Sequence, residues 1–363
     1  MSQAEPGKRD TAIAIVGAGV IGMSAAWRLA QSGWQVTVYE QGSYSAEASW
    51  AGAGMLAPGG EIEAPSPLAA FAIESRQLYA QFVRELEQAS GLKIDYGECG
   101  ALDLAYSPEE LAALDGKASR QEALGIPSKA VPATHVSQFW PRVRVEGLVG
   151  ARFYPGDGIV DPRDLLAALR IACEKLGASF KLNCPVTGAE LSGDSILVHT
   201  PPALDRFDVV VIAAGAWSSS IGVSGVPSLP LVEPVKGHLI GYRQPDQTCS
   251  TILRHGHTYL LQRANGLLIA GSSVERVGFN RDLRPEILET LAQQAAFLLP
   301  HLSETTRSEA WMGFRPASDG LQIGSWYSRH FYLAYGHYRN GILLAPVTAQ
   351  RLASEINANF ETR

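Results

Sequence analysis

Residues 11–40 form the part of the sequence that most constrains the fold. An apolar, β-branched run at 11–16 leads into the glycine pattern G-A-G-V-I-G at 17–22, and a helical pattern follows. A second strand pattern at 34–39 ends on the acidic residue Glu40. This order of strand, glycine-rich turn, helix, strand and acid predicts a Rossmann-like unit that binds a dinucleotide.

Each part of this unit has a physical role in dinucleotide binding. Gly17 permits a tight turn, Gly19 lets the backbone approach a pyrophosphate, and Gly22 lets the helix pack closely against the strand. The free N–H groups at the helix start can face the phosphates, and the Glu40 carboxylate can accept hydrogen bonds from ribose hydroxyls. The alternative is a βαβ unit whose glycines serve only packing.

Size and charge narrow the class of protein. A chain of 363 residues, 46% hydrophobic and 18% charged, suits a globular protein with a large core and two interleaved domains. A formal charge of −6 without Lys/Arg clusters argues against nucleic acid or an anionic membrane as a partner. We find no apolar run of about 18 residues and therefore expect no membrane span. The polar segment 1–10 predicts a flexible tail. Because this segment does not resemble a signal peptide, we expect the protein to be cytoplasmic.

The cysteine pattern indicates neither disulfides nor a metal site. Cys99, Cys173, Cys184 and Cys249 are scattered and form no Cys-x-x-Cys pair. In a cytoplasmic chain such thiols are expected to be reduced.

Capping residues predict where several helices begin and end. A helix at 68–90 should stop at Gly91, Ser107 and Asp161 should each cap a helix that starts with Pro, and a further helix should cover 285–299. These boundaries separate the strand patterns described next.

Strand patterns change character along the chain. The nearly continuous apolar run at 207–213 is typical of a strand buried on both faces of a parallel sheet, whereas the strands within 231–273 alternate and look antiparallel. The predicted fold class is therefore α/β, with a Rossmann-like dinucleotide-binding domain and an inserted α+β substrate domain built on an antiparallel sheet. The predicted segments are 11–91, 151–230 and 311–363 for the dinucleotide domain, and 92–150 and 231–310 for the substrate domain.

Five stretches in this order resemble the D-amino-acid oxidase superfamily of FAD enzymes and, within it, glycine oxidases of the thiamine-pathway type. The resemblance extends from about residue 12 to 355. The five stretches are G-A-G-V-I-G at 17–22, E-A-S-W-A-G-A-G-M-L at 47–56, P-V-K-G at 234–237, G-F-R-P at 313–316 and G-H-Y-R-N-G-I-L-L-A-P at 336–346.

The resemblance implies a non-covalently bound FAD. Glu40 would bind the adenosine ribose, the small residues at 51–54 would let the flat flavin ring lie against the backbone, and the helix after Gly341 would direct its positive end at the ring. Trp217 would lie either beside the flavin or in the core. The residues implied to bind FAD are Gly17, Gly19, Val20, Ile21, Gly22, Glu40, Gln41, Ala48, Ser49, Ala53, Gly54, Met55, Val186, Ala214, Gly215, Trp217, His337, Tyr338, Arg339, Asn340, Gly341, Ile342 and Leu343.

The resemblance also implies which side chains bind the substrate. Arg315 would hold the substrate carboxylate through a bidentate pair, Tyr259 would face the same carboxylate, and Arg339 would lie between cofactor and substrate. Their structural alternatives are an Arg that bridges the two domains and a Tyr that is merely packed. Lys236 and Arg263, at the start or end of strands, are interpreted as structural. We expect no acid–base catalytic residue.

The implied activity is oxidative deamination of glycine and other small amines or D-amino acids. A hydride would pass to the flavin, the imine would hydrolyse to a 2-oxo acid and ammonia, and dioxygen would become hydrogen peroxide. The product would feed synthesis of the thiamine thiazole. The expected partners are a small amino acid and dioxygen, and the expected assembly is a homo-oligomer such as a tetramer.

Other functions remain open at this point. One is a D-amino-acid dehydrogenase that passes electrons to a quinone, and another is a sarcosine-oxidase-like enzyme with non-covalent FAD. A covalent flavin at a cysteine near the C-terminal motif is excluded because no cysteine follows Cys249. A flavin-binding protein without turnover is a third. A nicotinamide dehydrogenase is disfavoured, because the small-residue loop and the last motif would then have no purpose.

Overall fold

The computed structural model describes residues 11–44, 47–244 and 251–360. The predicted tail at 1–10 and Cys249 lie outside the described residues. Within the described part, the α-helices are α1 (Val20–Gln31), α2 (Ala48–Ala51), α3 (Pro58–Glu61), α4 (Pro67–Ser90), α5 (Pro108–Glu122), α6 (Pro162–Lys175), α7 (Pro285–Leu298) and α8 (Gly341–Phe360). Short 3₁₀-helices span Ala133–Gln138, Gly215–Ser220 and Pro300–Glu304.

The strands of the same ranges belong to several sheets. They are β1 (Ala12–Val16), β2 (Gln35–Tyr39), β3 (Met55–Leu56), β4 (Tyr96–Gly97), β5 (Ala101–Ala105), β6 (Lys129–Pro132), β7 (Gly150–Tyr154), β8 (Gly158–Val160), β9 (Ser179–Lys181), β10 (Gly188–Ser192), β11 (Ser195–Thr200), β12 (Ala203–Phe207), β13 (Val209–Ile212), β14 (Gly222–Ser224), β15 (Val232–Arg243), β16 (Ile252–His255), β17 (Thr258–Gln262), β18 (Leu267–Gly271), β19 (Glu309–Ser318), β20 (Gln322–Ser328) and β21 (Phe331–Tyr335).

A six-stranded sheet forms the centre of the dinucleotide unit. Its order is β20-β21-β13-β1-β2-β9, and every neighbouring pair is parallel except β20 with β21. The carboxyl ends of β1, β2, β13 and β21 therefore lie at one edge, where parallel sheets place their ligands. This arrangement confirms the Rossmann-like prediction.

This sheet is covered on both faces. Its central strand β1 is apolar at every position, as expected for a strand whose two faces are both buried. Ile13 and Ile15 of β1 belong to a buried cluster that includes residues of α1, α4, α6 and α8. Ala14 and Val16 point the other way, into a cluster that includes the four-stranded sheet β12-β11-β10-β14. Each buried large aliphatic side chain contributes about 1.5–3 kcal/mol to stability.

An eight-stranded sheet forms the second large layer, in the order β19-β15-β18-β17-β16-β5-β7-β6. Its pairs are antiparallel apart from β16 with β5, which is parallel. β15 and β19 pair along ten positions and bring Pro234 opposite Pro316 and Gly237 opposite Gly313. Two sequence stretches that are far apart, P-V-K-G and G-F-R-P, thus lie side by side.

The predicted helix boundaries are largely confirmed. The hydroxyls of Ser66 and Ser107 and the carboxylate of Asp161 cap α4, α5 and α6, and each of these helices starts with Pro. Gly91 ends α4 with a left-handed φ of 79°. Ser66 was not among the predicted caps, although it precedes a Pro as the others do.

Two details predicted for strands are wrong. The buried strand predicted at 207–213 is present as β13, with β1 and β21 as parallel neighbours, but it begins only at Val209 because β12 ends at Phe207. Asp208 lies between them, and its carboxylate accepts a hydrogen bond from the backbone N–H of Ala12 at 2.7 Å. Lys236 does not lie at a strand end, since it is fully buried inside β15.

The domain division stays a prediction. The eight-stranded sheet takes its strands from 101–154 and 232–318, so it extends a few residues beyond the predicted limits at 150 and 310. No helix among the described residues is both long and apolar enough to cross a membrane.

Candidate active site

A large cavity lies at the carboxyl edge of the six-stranded sheet. It encloses about 1700 Å³, including its open mouth, and runs from the glycine loop to β19. Gly22 and Leu343 lie off the cavity: Gly22 packs against the backbone of Gly17, and Leu343 is buried in the core. The predicted site residues that line it are Gly17, Gly19, Val20, Ile21, Glu40, Gln41, Ala48, Ser49, Ala53, Gly54, Met55, Val186, Ala214, Gly215, Trp217, Tyr259, Arg315, His337, Tyr338, Arg339, Asn340, Gly341 and Ile342.

The glycine loop turns where a side chain would not fit. Gly17 has a φ of 108°, and a Cβ at this position would lie 2.5 Å from the carbonyl oxygen of Ala213. Its N–H donates to the carbonyl of Tyr39 at 2.7 Å, which ties the turn to the end of β2. α1 then begins at the cavity wall, and an α-helix leaves its first N–H groups without partners inside the helix.

Glu40 is held in place by backbone donors. Its Oε2 accepts a hydrogen bond from the N–H of Ala18 at 2.9 Å, and its Oε1 accepts one from the N–H of Gly42 at 3.0 Å. A carboxylate has about four acceptor positions. The remaining positions are therefore available to hydroxyl groups of a ligand at the end of β2.

The segment of small residues that comprises α2 and the residues up to β3 is held by three hydrogen bonds. The hydroxyl of Ser49 accepts the N–H of Val20 at 3.0 Å, which links the segment to the start of α1. The carbonyl of Ala51 accepts the indole N–H of Trp311 at 2.9 Å, and the carbonyl of Ala53 accepts a guanidinium N–H of Arg263. Arg263 thus acts as a fixed support for this segment, in agreement with its structural interpretation.

The segment that follows β21 forms the opposite wall. α8 begins at Gly341, so the positive end of this helix lies at the cavity. His337 is buried, and its Nε2 lies 3.1 Å from Oγ1 of Thr348. Burial lowers the pKa of His337 to about 3, so its imidazole is neutral at physiological pH.

Arg315 projects from β19 across the neighbouring strand. A Cβ on Gly237 would collide with its guanidinium, so the glycine of P-V-K-G is what lets the side chain lie there. Nη1 donates to the carbonyl of Ser273 at 3.0 Å, and Nη2 donates to the hydroxyl of Ser272 at 2.8 Å. Burial lowers the pKa of Arg315 from its ordinary value. A guanidinium nevertheless stays charged in proteins.

Tyr259 lies beside Arg315 at the same end of the cavity. It is buried, and a Cβ on Gly271 would come within 2.6 Å of its hydroxyl. Burial raises the pKa of Tyr259 above its ordinary value, although the positive charge of Arg315 opposes this effect. The phenol therefore stays protonated and can donate a hydrogen bond.

Arg339 lines the cavity and forms an ion pair there. Its Nη2 lies 3.1 Å from Oε1 of Glu61, which also lines the cavity. Glu61, Ser272 and Phe314 line the cavity but were not predicted as site residues from the sequence, and no role was predicted for Gly237. The resemblance could have pointed to Gly237 and Phe314, whereas no pattern marks Glu61 or Ser272.

Trp217 is a half-buried residue of the cavity wall rather than a core residue, and its predicted position beside the flavin stays a prediction. It lines the cavity, and its ring stacks on Phe279 with a centroid separation of 4.7 Å. It also meets Phe314 edge to face at 6.0 Å. The residue therefore belongs to the cavity wall and is in contact with two further aromatic side chains, Phe279 and Phe314.

Comparison with known proteins identifies the family. The sequence profile of the FAD dependent oxidoreductase family matches residues 12–355. The chain is similar to the glycine oxidase of Geobacillus kaustophilus, with 32% identity over 94% of this chain and 91% of that protein. It is also similar to the bifunctional protein ThiO/ThiG of a Synechocystis species, with 34% identity over 95% of this chain, and spans 51% of that longer protein.

Solved structures agree with the sequence comparison. The chain is similar to the crystal structure of glycine oxidase from Geobacillus kaustophilus, with a TM-score of 0.90, 30% identity and coverage of 96% of this chain and 95% of that one. A glycine oxidase structure from Bacillus cereus gives a TM-score of 0.88 at 29% identity, with coverage of 96% of this chain and 95% of that one. This chain belongs to the FAD dependent oxidoreductase family.

Proposed function

We propose that this protein is an FAD-dependent oxidase that deaminates glycine and other small amines or D-amino acids. The observation that supports the proposal is a single cavity with the glycine loop and Glu40 at one end and the pair Arg315 and Tyr259 at the other. The family and the glycine oxidase relatives support it. The relative named bifunctional protein ThiO/ThiG supports a role in making the thiazole of thiamine.

The residues present fit FAD. The turn at Gly17 has no space for a side chain, the start of α1 faces the cavity, and Glu40 lies at the end of β2, where a ribose would lie. The pinned small-residue segment and the start of α8 provide two walls suited to a flat ring. FAD, when bound, accepts a hydride from the α-carbon of the substrate and passes the electrons to dioxygen.

Arg315 is the residue proposed to orient the substrate. Its two donors to Ser272 and Ser273 fix the guanidinium plane, and the remaining N–H groups can hold a carboxylate. Tyr259 would add a neutral donor to the same carboxylate. Holding the α-carbon in a reactive position can supply several kcal/mol of the barrier reduction.

Acid–base catalysis is not part of the proposal. Tyr259 keeps its proton because its pKa is raised, and His337 stays neutral because burial lowers its pKa to about 3. Neither side chain therefore changes its protonation state near neutral pH, and their proposed roles are ligand binding and packing. The substrate amine would react in its neutral form.

The two alternatives are less well supported. Cys99, Cys173 and Cys184, the cysteines within the described ranges, are not among the residues that line the cavity, which fits a non-covalent FAD in the proposed oxidase and in the sarcosine-oxidase-like alternative alike. A dehydrogenase that uses a quinone would differ from an oxidase in its acceptor. Three relatives with 31–32% identity to this chain are glycine oxidases, which supports dioxygen as the acceptor.

The test is a product balance under air with glycine, sarcosine, D-alanine and D-proline. We expect glycine to consume dioxygen and to yield glyoxylate, ammonia and hydrogen peroxide in equal amounts. Turnover that requires an added quinone, with no peroxide formed, would replace the proposal with the dehydrogenase.

Location and assembly are also proposed. We propose a cytoplasmic homo-oligomer, such as a tetramer. The free thiols of Cys99, Cys173 and Cys184 fit a reducing compartment. Light scattering after size-exclusion chromatography tests the assembly, and a monomer at micromolar concentration would contradict it.

A further inference from the structure

Three charged side chains, Arg315, Arg339 and Glu61, share the substrate end of the cavity with the neutral side chains of Tyr259, Ser272 and Tyr338. Arg339 and Glu61 form an ion pair at 3.1 Å, and their side chains are 34% and 19% exposed. Tyr259 is buried and carries no charge at neutral pH. The charges therefore sum to one uncompensated cation, which is the guanidinium of Arg315.

The other carboxylates that line the cavity do not change this balance. Glu47 pairs with Arg281 at 2.6 Å. Glu40 lies at the dinucleotide end, where it accepts the N–H groups of Ala18 and Gly42. Glu61 is thus the carboxylate that shares the substrate end with Arg315.

Glu61 is held in this position by the anchoring of its own short helix, α3. The N–H of Gly59 donates to the buried carboxylate of Asp157 at 2.9 Å, and that carboxylate pairs with Nη1 of Arg254 at 2.9 Å. The side-chain amide of Gln121 donates to the carbonyl of Gly59 at 2.9 Å. These hydrogen bonds fix the position of α3, so ligand binding is not expected to displace α3 or Glu61 from the cavity.

We propose that Glu61 is a specificity-determining residue that restricts this cavity to ligands with a single negative charge. The inference rests on the proposed function, because it assumes that Arg315 binds the substrate carboxylate. A second anionic group would meet the fixed carboxylate of Glu61, and like charges repel strongly in a partly desolvated cavity. Arg339 does not compensate this group, since its charge is already matched by Glu61.

The test compares two ligands of the same size that differ in one charge. Malonate has two carboxylates, and malonamate has one carboxylate and one amide. Binding to the FAD-loaded protein is measured from the change in flavin absorbance, which needs no turnover. We expect malonate to bind at least about tenfold more weakly than malonamate. In the Glu61→Gln variant the two affinities should differ by no more than about threefold.

Glu63→Gln is the matched control, because Glu63 is an exposed carboxylate two residues further along the same segment. It should keep the wild-type preference. Equal affinities in the wild-type protein, or an unchanged preference in Glu61→Gln, would overturn the inference. If Glu61→Gln does not retain FAD, Glu61→Ala is used with the same criterion, and the wild-type comparison stands on its own.

Glycine turnover is measured on the same wild-type sample. Absent turnover would refute the proposed function, whereas normal turnover together with equal binding of malonate and malonamate would refute only the role of Glu61. The two failures are therefore distinguishable.

Discussion

Arg315 donates a hydrogen bond from Nη2 to the hydroxyl of Ser272 at 2.8 Å. Ser272 directly follows β18, and Arg315 lies on β19, which is separated from β18 in the sheet by β15. The bond therefore fixes the guanidinium across the intervening strand before any substrate arrives.

Replacing Arg315 by Ala should raise the KM for glycine strongly while FAD stays bound. Truncating one partner of a hydrogen-bonded charge pair costs roughly 2–5 kcal/mol, which corresponds to about 30-fold or more in KM. Steady-state kinetics and the flavin content of the purified variant check this. Arg206→Ala, at an exposed position on β12, is the control. An unchanged KM would remove Arg315 from the substrate site.

Replacing Ser272 by Ala should raise the KM by about tenfold or more, because a hydrogen bond to a charged group such as the Arg315 guanidinium contributes about 1.5–3 kcal/mol. Ser273→Ala is the matched control, since Arg315 is bonded to the carbonyl of Ser273, whereas the Ser273 hydroxyl bonds to Glu275. If both variants raise the KM equally, the hydroxyl of Ser272 has no special role in orienting Arg315.

Replacing Glu40 by Ala should weaken FAD retention and leave the KM for glycine of the FAD-loaded fraction unchanged. The substitution removes acceptors at the end of β2 and the two bonds that hold the loop at Ala18 and Gly42. Equilibrium dialysis of FAD measures the effect. Glu190→Ala, on β10 away from the cavity, is the comparison. Equal FAD affinity in the two variants would reject the ribose role of Glu40.

His337 should make the folded protein less stable in acid. Its pKa is about 3 when buried, against an ordinary value of 6.5. Between these values the unfolded chain binds one proton that the folded chain does not, so the free energy of unfolding falls as pH drops below 6.5, by up to about 1.4 kcal/mol per pH unit. Urea unfolding at pH 7.5 and 5.5 tests this. His337→Gln should show a smaller loss of stability, and an identical loss would contradict the assignment.

The sequence predicts features that depend on neighbours along the chain. Gly17, Glu40 and the Pro-initiated helices follow local patterns of periodicity, turn and capping. Those patterns were sufficient for the Rossmann-like unit and for most helix ends. The motif resemblance added Arg315 and Tyr259, which periodicity alone does not distinguish from packed residues.

Features that depend on distant partners could not be predicted in this way. The ion pair of Glu61 with Arg339 forms only because α3 and the segment after β21 meet across the cavity. Asp208 interrupts an apolar run, and its carboxylate accepts a hydrogen bond from the backbone N–H of Ala12. Neither partner is visible from the residues adjacent to it, so such contacts require the tertiary arrangement.

The central claim is tested most directly by mixing the FAD-loaded protein with glycine in the absence of air and then readmitting air. The account predicts that glycine removes the visible flavin absorbance, and that air restores it rapidly with formation of hydrogen peroxide. Absorbance that glycine leaves unchanged would contradict the substrate, and absorbance that stays lost in air would contradict an oxidase.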